Sequence, residues 1–188
     1  MMKAVIFTLG CRVNQYESDV IAAGLKGAGY EVSDKLEYAD LYILNTCAVT
    51  REAERKSRQL ITRARRYNPN AKVYVCGCAS EKNRTQFEKL DINGIYGTRD
   101  KFNVLKELGV EENGLYTERK KAYVNVQDGC DNFCTYCVIP YLRGQSRSRK
   151  EGDIVRDVLQ AEKDGKEVVI TGINIANTVS IQVRIWQH

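Results

Sequence analysis

Three closely spaced cysteines are the part of the sequence best suited to chemistry. Cys130, Cys134 and Cys137 follow a β-rich segment with the spacing C-x3-C-x2-C. Three thiolates on one loop can hold three irons of a 4Fe-4S cluster, which leaves the fourth iron without a protein ligand. A catalytic centre needs such an open position, because a substrate or cofactor must enter the coordination sphere. The alternative, a structural zinc site, normally has four ligands in paired C-x2-C units.

Three further cysteines are far apart in the sequence, but each follows a predicted strand. In an open parallel sheet, the residues beyond the carboxyl ends of the strands gather along one edge, where ligands bind. We therefore expect the thiols of Cys11, Cys47 and Cys78 to meet at that edge. The alternative is that they are buried small hydrophobic residues, as free cysteines often are.

The elements that must position these cysteines alternate between β-rich and helical segments. Strands are predicted at 4–9, 29–33, 41–45, 72–75 and 95–97, and helices at 14–27, 51–67, 81–89 and 101–108. This alternation predicts a parallel sheet with helices on both faces. The polar stretch 109–121 predicts a linker to a second unit, which has a strand at 122–127, a helix at 153–164 and a strand at 167–171.

The composition is typical of a globular protein of the cytoplasm. The 188 residues are 43% hydrophobic, enough for one full domain and part of a second. No apolar run reaches the ~18 residues that cross a bilayer, and residues 1–10 lack the basic flank of a signal peptide. Seven cysteines in such a protein indicate metal binding or catalysis rather than disulfides. The single histidine, His188, lies at the extreme end and argues against histidine-based chemistry.

The residues around both cysteine groups resemble the radical S-adenosylmethionine methylthiotransferases. The segment QDGCDNFCTYCVIPYLRGQSRSR, at 127–149, is similar to the loop by which that family binds S-adenosylmethionine. Three other segments resemble its amino-terminal domain: TLGCRVNQYESD at 8–19, NTCAV at 45–49 and GCAS at 77–80. The resemblance extends from residue 3 to residue 175.

This resemblance implies a role for each cysteine group. It implies that one 4Fe-4S cluster is held by Cys11, Cys47 and Cys78, and that a second, which also binds S-adenosylmethionine, is held by Cys130, Cys134 and Cys137. Cys76 is still on the predicted strand and is interpreted as a core residue, with ligation by Cys76 in place of Cys78 as the lesser alternative.

Other residues of the cysteine-rich loop also match the family. The resemblance places Tyr136 beside the adenine of the cofactor, with simple packing of this aromatic side chain as the alternative. The pairs Arg143-Gly144 and Ser148-Arg149 fit the family pattern as well. Their role could be limited to forming turns and caps.

The resemblance also implies an α/β fold in defined segments. Residues 1–108 are expected to form a flavodoxin-like parallel-sheet domain, 109–121 a linker, and 122–175 the incomplete start of a radical-SAM (β/α) barrel. Residues 176–188 form a tail that does not match the family. The alternative to an enzyme is therefore a catalytically incomplete fragment that acts as an iron–sulfur or RNA-binding module.

The chemistry implied by the resemblance is methylthiolation of tRNA. Members of the family cleave S-adenosylmethionine to a 5′-deoxyadenosyl radical, which removes a hydrogen atom from a carbon that then receives a methylthio group. The sequence TLGCRVNQYE around Cys11 is most similar to the branch that modifies C2 of N6-threonylcarbamoyladenosine at tRNA position 37. The implied partners are tRNA and a reductant protein for the cluster, and no membrane is involved.

The predicted helix at 51–67 carries seven basic residues and only two acidic ones. A basic helix beside the cysteine edge is suited to RNA phosphates, and the net charge of the chain is +5. The candidate contacts are Arg51, Arg55, Arg58 and Arg63. The alternative is an ordinary solvated helix face.

Overall fold

The first sheet of the molecule is parallel and has five strands. The computed structural model describes residues 1–48 and 50–178, with Arg51 described by its backbone only. The strand order is β2-β1-β3-β4-β5, and the strands are β1 (Lys3–Thr8), β2 (Glu31–Ser33), β3 (Leu41–Thr46), β4 (Lys72–Gly77) and β5 (Gly94–Ile95). The predicted α/β fold with a flavodoxin-like parallel sheet is confirmed.

Helices connect these strands. They are α1 (Arg12–Gly27), α2 (Arg51–Tyr67), α3 (Cys78–Lys82), α4 (Arg84–Phe87) and α5 (Asn103–Glu107). Within the described ranges, none of the helices is both long and apolar enough to span a membrane.

The ends of α2 agree with the prediction, whereas the next predicted helix is wrong. The hydroxyl of Thr50 accepts a hydrogen bond from the backbone N–H of Ala53 at 3.1 Å and so caps the start of α2. Asn68, in an extended conformation, ends it. The single helix predicted at 81–89 is instead split into α3 and α4, because the backbone of Asn83 (φ −129°, ψ 42°) leaves the helical region.

Two buried layers cover the two faces of this sheet. On one face, α1 and α5 contribute Ile21 and Leu105 to a cluster that includes Cys76. On the other face, α2 contributes Ile61 to a cluster that includes Cys78. β3 is buried along its whole length, as expected for a central strand that is covered on both sides.

A second, smaller sheet follows in the order β7-β6-β8. It consists of β6 (Lys121–Asp128), the short antiparallel β7 (Arg147–Ser148) and the parallel β8 (Glu167–Gly172), together with α6 (Ile139–Arg143), α7 (Glu151–Lys163) and a 3-10 turn (Ile175–Asn177). β6, α7 and β8 lie within about two residues of their predicted positions. The sequence analysis missed α6 and β7.

Helix α1 and the connecting stretch join the two sheets. Tyr16 and Val20 of α1 pack in one buried cluster with Val124 of β6 and Ile154 of α7. The stretch predicted as a linker has no regular structure between 109 and 120, yet Leu115 is buried in the same cluster. The segment boundaries at 108, 121 and 175 remain a prediction, and residues 179–188 of the tail lie outside the described residues.

Candidate functional site

The first cysteine group lies at the carboxyl edge of the first sheet. Cys11 follows β1 and immediately precedes α1, Cys47 follows β3, and Cys78 is the first residue of α3, directly after β4. The backbone of Gly10 has φ +113°, and a Cβ atom there would lie 3.0 Å from the sulfur of Cys47. The loop that carries Cys11 therefore lies directly against the Cys47 thiol.

A buried asparagine that the sequence analysis did not single out connects these loops. Asn14 is 1% exposed, and its side-chain amide donates hydrogen bonds to the carbonyls of Leu9 at 2.8 Å and Thr46 at 3.0 Å. Its side-chain oxygen lies 3.5 Å from the sulfur of Cys11, which donates to it. Asn14 thus binds the loop after β1 to the loop after β3.

A second buried asparagine, Asn45 near the end of β3, connects this strand to α1. The amide of Asn45 donates to the backbone carbonyl of Asn14 at 2.8 Å and to the hydroxyl of Ser18 at 3.2 Å. Gly77 approaches Asn45 so closely that a Cβ atom on Gly77 would lie 2.6 Å from the Asn45 side-chain oxygen. Because Gly77 also has φ +100°, the turn that presents Cys78 requires glycine.

Burial and charge act in opposite directions on the thiol of Cys78. Burial raises its pKa, and the nearby charge and hydrogen bond of Arg143 lower the pKa only in part. For Cys76, burial raises the pKa to about 12. A thiolate rather than a thiol binds metal. Cys78 is the first residue of α3, directly after β4, whereas Cys76 lies on β4 and packs in the core on the opposite face of the sheet.

The second cysteine group lies on a single exposed loop. Cys134 is exposed, and Cys130 and Cys137 are partly exposed. The backbone N–H of Cys137 donates to the carbonyl of Cys134 at 2.9 Å, so a tight turn brings these two residues together. Between Cys130 and Cys134, Phe133 has φ +44°, and within the described residues it is the one residue besides glycine with positive φ. Such backbone strain is common at functional sites.

Tyr136 projects from this loop into solvent. Its exposed fraction is 91%, so the alternative that it packs inside the loop is wrong. Its neighbours Phe133 and Tyr141 are also exposed and contact each other edge to face, with ring centroids 5.7 Å apart. The loop therefore offers aromatic surface beside the cysteines.

The guanidinium of Arg143 lies between the two cysteine groups. Arg143 is 0% exposed and donates to the carboxylates of Glu17 and Asp128, each at 2.9 Å. It also donates to the side-chain oxygen of Asn14 at 2.6 Å. Lys101 forms a second buried ion pair with Glu17. The interpretation of Arg143 as a turn or cap residue is wrong, because its side chain joins the two sheets.

The other residues of that motif also make specific contacts. Gly144 ends α6 with φ +73°, as a turn residue would. Arg149 donates to Asp157 of α7 at 3.0 Å, and its guanidinium lies 5.0 Å from the ring centre of Tyr16 in α1. The hydroxyl of Tyr16 donates to the same Asp157 carboxylate at 3.0 Å. Arg149 therefore joins the two halves of the molecule as well.

The candidate RNA-binding arginines are spread along α2. Arg55 donates to Glu52 at 2.7 Å and Arg58 contacts Gln86, whereas Arg63 is exposed. At 1.5 Å per residue, Arg63 lies about 18 Å along the axis from the first helical residue. Only the first turns of α2 therefore lie near the cysteine edge. The side chain of Arg51 lies outside the described residues.

Both cysteine groups supply only sulfur donors, the ligands that iron–sulfur clusters take in proteins. Throughout 1–48 and 50–178, no three His, Cys, Asp or Glu side chains are close enough together to hold one metal ion. In a 4Fe-4S cluster each thiolate binds a different iron, so its ligands need not meet at one point. Each cysteine group supplies three sulfur donors from adjacent backbone segments.

Comparison with known proteins gives matches over most of the chain. Residues 3–97 match the model of "Uncharacterized protein family UPF0004". The threonylcarbamoyladenosine tRNA methylthiotransferase MtaB of Bacillus subtilis is 35% identical over 93% of this chain and 44% of its own length. The corresponding protein of Aquifex aeolicus is 37% identical over 93% of this chain and 48% of its own length.

A relative named for a different substrate is similar to the same degree. The tRNA-2-methylthio-N(6)-dimethylallyladenosine synthase of Clostridium perfringens is 36% identical over 90% of this chain and 44% of its own length. The chain thus spans less than half the length of these relatives. Overall identity does not distinguish between the two substrates.

Proposed function

Because this chain belongs to the UPF0004 family, whose domain is found in the tRNA methylthiotransferases it matches, we propose that it serves methylthiolation of tRNA by radical S-adenosylmethionine chemistry. The observation that carries this proposal is that the chain has two groups of three cysteines, and that Arg143 binds a residue near each of them, Asn14 near Cys11 and Asp128 near Cys130. Each group would hold one 4Fe-4S cluster, the first on Cys11, Cys47 and Cys78, the second on Cys130, Cys134 and Cys137.

The two groups are suited to different tasks. When bound, the clusters and S-adenosylmethionine would supply radical formation, hydrogen abstraction and transfer of a methylthio group. The exposed Cys134 loop leaves room for S-adenosylmethionine to approach, and the exposed ring of Tyr136 is available to contact its adenine. Asn14 and Asn45 keep the first group in place through buried hydrogen bonds.

The proposed substrate is N6-threonylcarbamoyladenosine at tRNA position 37, modified at C2. The residues TLGCRVNQYE around Cys11 support this branch. The test is mass spectrometry of tRNA nucleosides from a strain that lacks the gene, with and without the gene restored. Loss and recovery of the 2-methylthio derivative of threonylcarbamoyladenosine is expected. Recovery of a methylthiolated dimethylallyladenosine instead would overturn the choice of substrate.

The proposed partners are tRNA and a reductant protein, and the proposed location is the cytoplasm. Arg55 and Arg58 lie in the first turns of α2, near the cysteine edge, and are the better placed candidates for RNA phosphates. Each lost phosphate contact should reduce the salt dependence of tRNA binding. The double variant Arg55→Gln, Arg58→Gln should therefore reduce the dependence of tRNA affinity on salt concentration more than Arg63→Gln does. Arg63→Gln serves as the distant control.

A catalytically incomplete iron–sulfur or RNA-binding module is the second candidate. It is favoured by the exposed apolar side chains of Ile170 on β8 and Leu159 on α7, at 44% and 58%, because an enzyme pocket needs walls that exclude water. Reconstituted protein is incubated with dithionite and S-adenosylmethionine, and 5′-deoxyadenosine is measured. Production of 5′-deoxyadenosine supports the enzyme, whereas bound clusters without cleavage support the module.

A further inference from the structure

Arg143 is the largest side chain that is completely buried in the described part of the chain. Removing a charge from water costs several kcal/mol, and partners recover this cost only when the geometry is good. A residue needed only to end a short helix would not require a buried guanidinium. Its contacts therefore indicate what the charge does.

Two of its hydrogen bonds reach residues of α1 beside the first cysteine group. Its guanidinium donates to the side-chain oxygen of Asn14, the same atom that accepts from the thiol of Cys11. It also pairs with Glu17 in the next turn of α1. A cation supplied by the second half of the chain thus lies beside the first cysteine group.

The segment around Arg143 also holds the second cysteine group. The backbone N–H of Cys130 donates to the carbonyl of Gly144 at 3.0 Å, the residue directly after Arg143. Asp128, two residues before Cys130, accepts from Arg143 at 2.9 Å. The position of the Cys130 loop is therefore fixed by the same segment that contacts Asn14 and Glu17.

We propose that Arg143 is a positioning residue that fixes the two cysteine groups relative to each other and raises the reduction potential of the cluster on Cys11, Cys47 and Cys78. The inference rests on the proposed function, because it requires a cluster at those cysteines. Reduction adds negative charge to a cluster, and a nearby fixed cation stabilises the reduced form. Burial increases this effect, since charges interact more strongly in a low-dielectric interior.

A matched pair of arginines separates this role from simple stabilisation. Arg147 also donates to Asp128, at 2.6 Å, but its side chain is 44% exposed. The contacts of Arg147 in the described residues lie within the second half of the molecule, on Asp128 and on the carbonyl of Arg143. Arg147→Met is therefore the control for losing an arginine that pairs with Asp128.

The test uses the full chain with Cys130, Cys134 and Cys137 replaced by Ala, so that only the first cluster is assembled. The midpoint potential of that cluster is measured by reductive titration followed by electron paramagnetic resonance. Arg143→Met should shift the potential to a more negative value at unchanged iron content, and Arg143→Lys should retain most of the parent potential. Arg147→Met should leave it unchanged. Equal potentials in the Arg143→Met variant and the parent would overturn the inference.

Two further measurements keep the outcome unambiguous. Arg143→Met leaves Asp128 without its buried cation. The double variant Arg143→Met, Asp128→Asn removes this uncompensated charge, and its midpoint potential should show the same negative shift. A parent protein that binds no iron would overturn the proposed function itself. A parent that binds iron, with no shift in any Arg143 variant, would overturn only this inference.

Discussion

Cys47 and Cys78 lie in the interior at the edge of one sheet, whereas Cys134 lies in the open on a single loop. The first group is assembled from segments far apart in the sequence and depends on Asn14, Asn45 and the turn at Gly77. The second is contained within eight residues, 130–137. The first group should therefore depend on the integrity of the whole sheet, and the second mainly on its own loop.

Replacing the cysteines of either group tests this comparison most directly, and its effect on bound iron should be the largest of those predicted. Protein reconstituted without oxygen should bind about eight irons per chain, four in each cluster. Replacing all three cysteines of one group with Ala should halve the iron content and leave the other cluster intact. Metal and sulfide analysis measures this result. Cys76→Ala is the control and should retain both clusters, and loss of a cluster in that variant would identify Cys76 as a ligand.

A single added methyl group at Gly77 should disrupt the first group. In Gly77→Ala, the new Cβ would lie 2.6 Å from the side-chain oxygen of Asn45, and φ is +100°. Strain and overpacking together should lower the free energy of unfolding by about 3 kcal/mol or more. Gly109→Ala is the matched control, because φ is +68° but nothing lies within 4 Å of the new atom. Its cost should be ~1 kcal/mol.

Urea unfolding of the metal-free variants measures both costs. Equal losses in Gly77→Ala and Gly109→Ala would contradict the tight packing of the turn before Cys78. The iron content of reconstituted Gly77→Ala adds a second readout, since the cluster of the first group should be lost in preference to that on the exposed loop.

A pH series sharpens the comparison, because α1 carries a buried carboxylate that pairs with Arg119 of the connecting stretch. Burial raises the pKa of Asp19 from 3.8 to about 7, although Arg119 lowers it in part. A raised pKa in the folded state means that its stabilisation is complete below about pH 4 and is lost as the pH rises through about 7. The free energy of unfolding should fall by at most about 4 kcal/mol over this pH range.

The free energy of unfolding of the metal-free chain, measured between pH 4 and pH 8, gives the dependence of stability on pH. In Asp19→Asn the fall in stability with rising pH should be much smaller. Asp164→Asn, at an exposed carboxylate on the end of α7, is the control and should keep the slope of the parent. A parent whose stability rises over this range would contradict the assignment to Asp19.

The smallest effect is expected at the exposed loop. Tyr136 is 91% exposed, so Tyr136→Ala should change the free energy of unfolding by less than ~0.5 kcal/mol. Iron content should also remain that of the parent. A large loss of stability would mean that the loop is held by the aromatic ring, in contrast to its exposed position.

The spacing of Cys130, Cys134 and Cys137 was enough to predict the second group, because its three cysteines are neighbours in the chain. The first group required the resemblance, since no local pattern links Cys11 to Cys47 and Cys78. The alternation of strands and helices was sufficient to predict the first sheet and α2. What could not be predicted depends on contacts between distant segments. The burial of Arg143 is set by Glu17 and Asn14, more than 120 residues earlier in the chain.

Helix α1 contributes both to the core on one face of the first sheet and to the cluster that it shares with β6 and α7, and this affects how the chain folds during synthesis. Ile21 packs under the first sheet, and Tyr16 and Val20 pack against β6 and α7. The ribosome releases α1 long before it releases β6 and α7. The later strands therefore emerge onto a surface that already exists, whereas a fragment translated from residue 109 onward would expose the apolar side chains that α1 covers. The order of translation thus matches the order in which the two cores can be completed.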